Sequence, residues 1–138
     1  MFKRNIIEKL KEWKSNTRHK PLVLRGARQV GKTTVVNEFG KLFENYLYFN
    51  LEKSEHTKLF ELEIPLDDLI IMLFASQGKP QQNGSTLIFI DEIQNSPKTM
   101  SLLRYFYEQR PELYIIAAGS LLENLVDINA SFPVGRVQ

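Results

Sequence analysis

Residues 26–33 read GARQVGKT, a string that satisfies the pattern GxxxxGK[ST] at every fixed position. A loop of this kind turns several backbone N–H groups inward, and a side chain at either glycine would obstruct the approach, so Gly26 and Gly31 have a mechanical reason to be there. Inward N–H groups suit a polyphosphate. Lys32 brings a point charge to its β and γ phosphates, and Thr33 places a hydroxyl where Mg²⁺ needs an oxygen ligand. The helix opening there adds the positive end of its dipole.

The motif demands a buried strand before it and a helix after it. Pro21 to Arg25 (PLVLR) is a short apolar run suited to a strand buried on both faces. Beyond the loop, Val35, Val36, Phe39, Leu42 and Phe43 recur at helical spacing. Strand, glycine loop and helix follow in the required order.

At 138 residues, 43% of them hydrophobic, the chain can bury one core and has little left for a second domain. A net charge of +2, from 18 basic and 16 acidic residues, gives no general case for nucleic acid, so any such binding must be local. The absence of cysteine excludes disulfides, thiolate metal sites and thiol catalysis. The first residues, MFKRNIIEKLKEW, are charged throughout, and no apolar run approaches the roughly 18 residues of a membrane span. A soluble cytoplasmic protein with no membrane partner is the expectation.

From Phe2 to about Asn16, the residues Phe2, Ile6, Ile7, Leu10 and Trp13 fall on one helical face, which predicts a surface helix laid on the core. Lys3, Arg4, Lys9, Lys11, Lys14, Arg18 and Lys20 around it are either a solvated face or a phosphate-contacting patch. Tyr46 to Asn50 (YLYFN) is strand-like. Leu51 to Gln77 turns helical twice, the second time with Leu66, Leu69, Ile70, Leu73 and Phe74 in one stripe, ended by Gly78 and Pro80. The acids Glu61, Glu63, Asp67 and Asp68 read as helix-start and solubility charges rather than as a metal cluster. Gly78 to Ser85 is a polar loop without periodicity and a candidate for mobility.

Thr86 to Ile90 (TLIFI) is a near-continuous apolar strand that delivers Asp91 and Glu92 at its carboxyl end, the Walker B pattern. Ligands of doubly wound sheets sit in the crevice outside the carboxyl ends of the strands, which is where both acids are delivered. Asp91 is expected to hold Mg²⁺, and Glu92 to orient and deprotonate the water that attacks the γ-phosphate. Pro97 to Gln109 reads as a further helix packed by Met100, Leu103 and Tyr107, and Leu113 to Ala118 as a fourth buried strand. Ser120 beyond it can cap the helix expected over Leu121 to Val126. Ala130 to Gln138 (ASFPVGRVQ) looks like a fifth strand that has no room to finish, so the chain is expected to stop inside the core of a larger protein.

With GARQVGKTT, FIDEIQ, AAGS and FPVGR in this order, the sequence resembles the prokaryotic AAA-type ATPases of unassigned cellular role that usually carry a C-terminal domain of unknown function. The resemblance implies an α/β fold, the three-layer P-loop NTPase of AAA-like, ASCE type, with a parallel sheet, helices on both faces and a truncated fifth strand. It implies ATP and Mg²⁺ as cofactors, held by Gly26, Ala27, Arg28, Gln29, Val30, Gly31, Lys32, Thr33 and Thr34, with Thr33 and Asp91 as metal ligands. Glu92, Lys32, Ser120 as a sensor and Arg136 as a γ-phosphate arginine are the catalytic residues it implies. Arg136 acts within its own subunit, on a neighbour's nucleotide, or is a surface arginine. The implied fifth strand pairs with the P-loop strand, and its loss would expose that edge and favour self-association.

Two functions compete. One is an ATPase that works as a motor or switch for an attached C-terminal domain. The other is a nucleotide-gated DNA- or protein-binding module with little or no hydrolysis, supported by the basic N-terminal helix. Neither NKxD nor DxxG follows the P-loop, which argues against a GTPase, and the adjacent acids fit activation of water better than transfer to a substrate hydroxyl. The expected partners are ATP and ADP, a DNA or protein partner reached through the absent domain, and further copies in a homo-oligomer.

Overall fold

The computed structural model describes residues 2–25, 31–81 and 83–119. Helix α1 (Phe2–Ser15) leads into strand β1 (Leu22–Arg25), and α2 (Lys32–Gly40) into β2 (Asn45–Asn50). Helices α3 (Ser54–Phe60) and α4 (Leu66–Ser76) precede β3 (Thr86–Asp91). One turn of 3₁₀ helix over Ile93–Asn95, α5 (Pro97–Gln109) and β4 (Tyr114–Gly119) complete the order.

The four strands form one parallel sheet in the order β1-β4-β3-β2. Parallel neighbours require a crossover between them, and the helices that supply the crossovers cover the faces of the sheet. Alternate residues of each strand therefore enter different cores. Val23, Leu47, Phe49, Ile88, Ile90, Ile115 and Ala117 pack with Phe60 of α3, the Leu66–Phe74 stripe of α4 and Met100, Leu103 and Phe106 of α5. Leu22, Leu24, Leu87, Phe89, Ile116 and Ala118 pack on the other face, against Ile6 and Leu10 of α1 and Val35, Val36 and Phe39 of α2. The result is three layers with a core on each side of the sheet. Every residue of β3 is buried, which explains why its sequence shows no polar alternation.

The local signals account for the ends of the helices. Ser96 caps α5 by accepting from the Thr99 amide at 3.2 Å, and Pro97 occupies the first turn, where no amide hydrogen is missed. Helix α4 carries Asp67 and Asp68 in its first turn and ends before Gly78, which takes a φ of 69°. Gly40, the last residue of α2, answers a packing demand: a Cβ there would stand 2.7 Å from ring carbons of Tyr46, so glycine lets β2 approach this closely. The helix stops there, and Leu42, which the helical spacing assigned to the apolar stripe, is 49% exposed beyond its end.

Trp13 works as an anchor. Its Nε1 donates to the Lys20 carbonyl at 2.7 Å, and its ring meets His19, Phe39 and Tyr114. The ring nitrogens of His19 lie 3.2 Å from the Asn16 carbonyl and 3.0 Å from that of Leu113, tying the turn after α1 to the start of β4. Glu63 pairs with Lys98 at 3.7 Å and Asp67 with Arg110 at 3.0 Å, while Glu61 accepts from Ser96 Oγ at 2.6 Å. The polar loop after α4 is bonded at both ends, through Lys79 Nζ to the Tyr46 carbonyl at 2.7 Å and through Ser85 to Glu44 and Asn45. Among the described residues no helix is long and apolar enough to cross a membrane. The expected fifth strand lies outside them.

Candidate functional site

The carboxyl ends of β1 and β3 bring the two motifs together. Gly26, Ala27, Arg28, Gln29 and Val30 lie outside the described residues, as do Ser120 and Arg136. Gly31 takes φ 74° and ψ 26°, the left-handed region that glycine enters without the steric cost of a Cβ, and α2 begins at the next residue. No side chain caps this helix start among the described residues. Lys32 is buried, at 7% exposure. Thr34 points to solvent, whereas Thr33 turns toward the end of β3.

Thr33 Oγ1 donates to Asp91 Oδ2 at 2.9 Å. Asp91 is 8% exposed, and both oxygens of its carboxylate are engaged. Oδ1 accepts from the Glu92 amide at 2.9 Å, and Oδ2 also accepts from the Tyr48 hydroxyl at 3.1 Å. A hydroxyl and a carboxylate oxygen in contact, beside a buried lysine and the start of a helix, form a hard-oxygen donor set of the kind Mg²⁺ takes alongside phosphate. Among the described residues, Thr33 and Asp91 fit the metal.

Glu92 follows the strand in a left-handed conformation, φ 54° and ψ 46°, and is the one non-glycine residue with positive φ among those described. Such backbone costs an ordinary side chain about 1–2 kcal/mol, and it swings Glu92 out of the strand direction that Asp91 keeps. Gln94 Nε2 donates to Glu92 Oε1 at 2.8 Å, while Gln94 Oε1 is buried with no hydrogen-bond partner among the described residues.

No motif points to Tyr46 or Tyr48. In β2 they share the face of the sheet that carries α2, where the Tyr46 hydroxyl donates to Asn37 Oδ1 and the Tyr48 ring packs 5.3 Å from Phe89. Burial is the main cause that holds both phenols above their ordinary pKa. The charge of Asp91 adds to it, ahead of all else but burial at Tyr48 and after Tyr48 itself at Tyr46. A signal exists in hindsight: Tyr48 stands opposite Phe89, two residues before Asp91 on the same face, within diagonal reach of a long side chain. Only the strand pairing makes that signal readable.

The parallel sheet order, the helices on both faces and the meeting of Thr33 with Asp91 at one end define the α/β fold of an AAA-type ATPase domain. The AAA domain family model matches residues 18–138, and the chain belongs to that family. Among solved structures it is similar to Drosophila ORC bound to DNA, with a TM-score of 0.59 and 15% identity over 97% of this chain and 40% of that one. It is also similar to C. elegans PCH-2, at 0.56 and 14% over 99% and 42%. The Aeropyrum pernix ORC2 protein, solved as ADPNP-ADP complexes, gives 0.50 and 15% over 98% and 45%. At such identities the likeness is one of fold, and the chain spans less than half the length of each of these neighbours. No curated protein sequence matches it.

Proposed function

We propose that this chain binds ATP with Mg²⁺ and hydrolyses it, as the ATPase core of a longer protein in which the cycle moves a C-terminal domain. The observation that carries the reading is the contact of Thr33 with Asp91, which joins a complete GxxxxGK[ST] motif to the end of a buried strand. Gly26 to Thr34 wrap the phosphates, and Lys32 meets the β and γ oxygens. Thr33 and Asp91 would hold the metal, which would neutralise charge on the phosphate oxygens. Glu92 takes the proton of the attacking water, Ser120 senses the γ-phosphate and Arg136 stabilises the charge that develops on it. Catalysis here is positioning and charge stabilisation, which needs no covalent intermediate on the protein.

The runs GARQVGKTT, FIDEIQ, AAGS and FPVGR support the narrower assignment to the prokaryotic group with a C-terminal domain. A DNA or protein partner is reached through that domain, and the protein assembles into a homo-oligomer. The test is binding of a fluorescent ATP analogue with and without Mg²⁺, in competition with ATP, ADP and GTP, followed by release of inorganic phosphate. Mg²⁺-dependent binding displaced best by adenine nucleotides, with phosphate released, is the expected result. A phosphorylated small molecule in place of free phosphate would overturn it.

A further inference from the structure

Asp91 is held from two directions. Thr33 reaches it from the first turn of α2. Tyr48 reaches the same oxygen from β2, a strand paired with β3 along its whole length. Tyr48 is in turn fixed at its backbone. The Gln77 side-chain amide accepts from the Tyr48 amide at 3.3 Å through Oε1 and donates to the Tyr48 carbonyl through Nε2, closing on the outer edge of β2 as a neighbouring strand would. Its ring rests on Phe89, in the core between the sheet and α2.

We infer that Tyr48 is a positioning residue for the metal site, setting the orientation of the Asp91 carboxylate from the sheet independently of Thr33. This rests on the reading of Asp91 as a Mg²⁺ ligand. A carboxylate anchored only by Thr33 would have one side-chain partner, on α2, and would be free to turn about that single contact, whereas Tyr48 adds a second from the sheet. With Tyr48 in place, Oδ2 accepts from both Tyr48 and Thr33 and Oδ1 from the Glu92 amide, so the orientation of the carboxylate toward a metal is set before nucleotide arrives. Outer partners of ligating carboxylates typically account for about 10-fold to 100-fold in metal affinity.

The experiment is a Mg²⁺ titration of fluorescent ATP analogue binding to wild type, Tyr48→Phe, Tyr46→Phe and Asp91→Asn, with metal-free binding and the thermal midpoint measured on each. Tyr46→Phe is the internal control, because it deletes the same hydroxyl from the same face of the same strand, where the partner is Asn37. Tyr48→Phe is expected to raise the Mg²⁺ concentration at half-saturation roughly 10-fold. Its metal-free binding should stay at the wild-type level, as should the Mg²⁺ requirement of Tyr46→Phe. An unchanged Mg²⁺ requirement in Tyr48→Phe, with Asp91→Asn still defective, overturns the inference and leaves the proposed function standing. Equal shifts in both phenylalanine variants, or a parallel loss of metal-free binding, also overturn it by reducing Tyr48 to a packing residue. Wild-type binding that is indifferent to Mg²⁺, or an Asp91→Asn variant that responds as wild type does, removes the reading of the site and the inference with it.

Discussion

Thr33 and Asp91 lie 58 residues apart in the chain and share a hydrogen bond of 2.9 Å. One opens the helix after the glycine loop, and the other closes the central buried strand. Their contact turns two separate sequence motifs into one oxygen-lined site, and it is the point from which the functional expectations follow.

Binding and turnover are expected to separate at Lys32 and Glu92. Removing the buried charge in Lys32→Ala costs charge-assisted contacts of about 1.5–3 kcal/mol, so ATP affinity should fall roughly 10-fold to 100-fold. Glu92→Gln keeps the shape of the side chain but cannot take a proton. Turnover should drop by about 10²–10⁴ while affinity stays at the wild-type level. Binding isotherms and phosphate release on the two variants check this, and wild-type turnover in both would refute the site.

Phe39 and Leu42 sit on one helical stripe in the sequence, yet the first is 1% exposed and the second 49%. Phe39→Ala should destabilise by about 3–5 kcal/mol through lost contacts and the cavity left behind. Leu42→Ala should stay within about 0.5 kcal/mol of wild type. Denaturant unfolding distinguishes them, and comparable losses would mean that α2 continues past Gly40.

Gln77→Ala should bare the outer edge of β2. Two hydrogen bonds to the Tyr48 backbone are lost, at about 1 kcal/mol each, and the amide and carbonyl become available to another chain. Sedimentation at increasing concentration should show more association than wild type. An unchanged profile with unchanged stability would show that the amide clasp contributes nothing.

Alkaline pH should weaken the fold through Tyr46 and Tyr48. Both phenols hold their protons more tightly folded than unfolded, so between the two values the folded chain binds more protons and stability falls as pH rises. Their contribution is complete below about pH 10, the ordinary phenol value, and is lost as the pH climbs through the raised folded values. The thermal midpoint of wild type should therefore decline above about pH 10 more steeply than that of the Tyr46→Phe, Tyr48→Phe double variant. Equal slopes would place the alkaline sensitivity elsewhere.

Much of this was legible because the relevant physics is local. The left-handed Gly31 before α2, the unbroken apolar run of TLIFI and the Ser96-Pro97 start of α5 depend on sterics, backbone hydrogen bonding and side-chain period within a few residues, and these leave their mark in consecutive letters. The place of Asp91 at the carboxyl end of a buried strand, with Glu92 just beyond it, was legible too, because the apolar run stops there. The strand order was not derivable from local pattern. Nor were the roles of Tyr48 and Gln77, residues that look like ordinary strand and helix-end letters. They gain meaning from register: β2 against β3 puts the Tyr48 hydroxyl on Asp91, and the end of α4 puts the Gln77 amide on the edge of β2. Such contacts join segments distant in sequence, so their energy has no local signature. The sequence by itself determined the elements, whose physics is local, and the tertiary structure decided which side chains meet Asp91, because those contacts depend on strand register and helix packing.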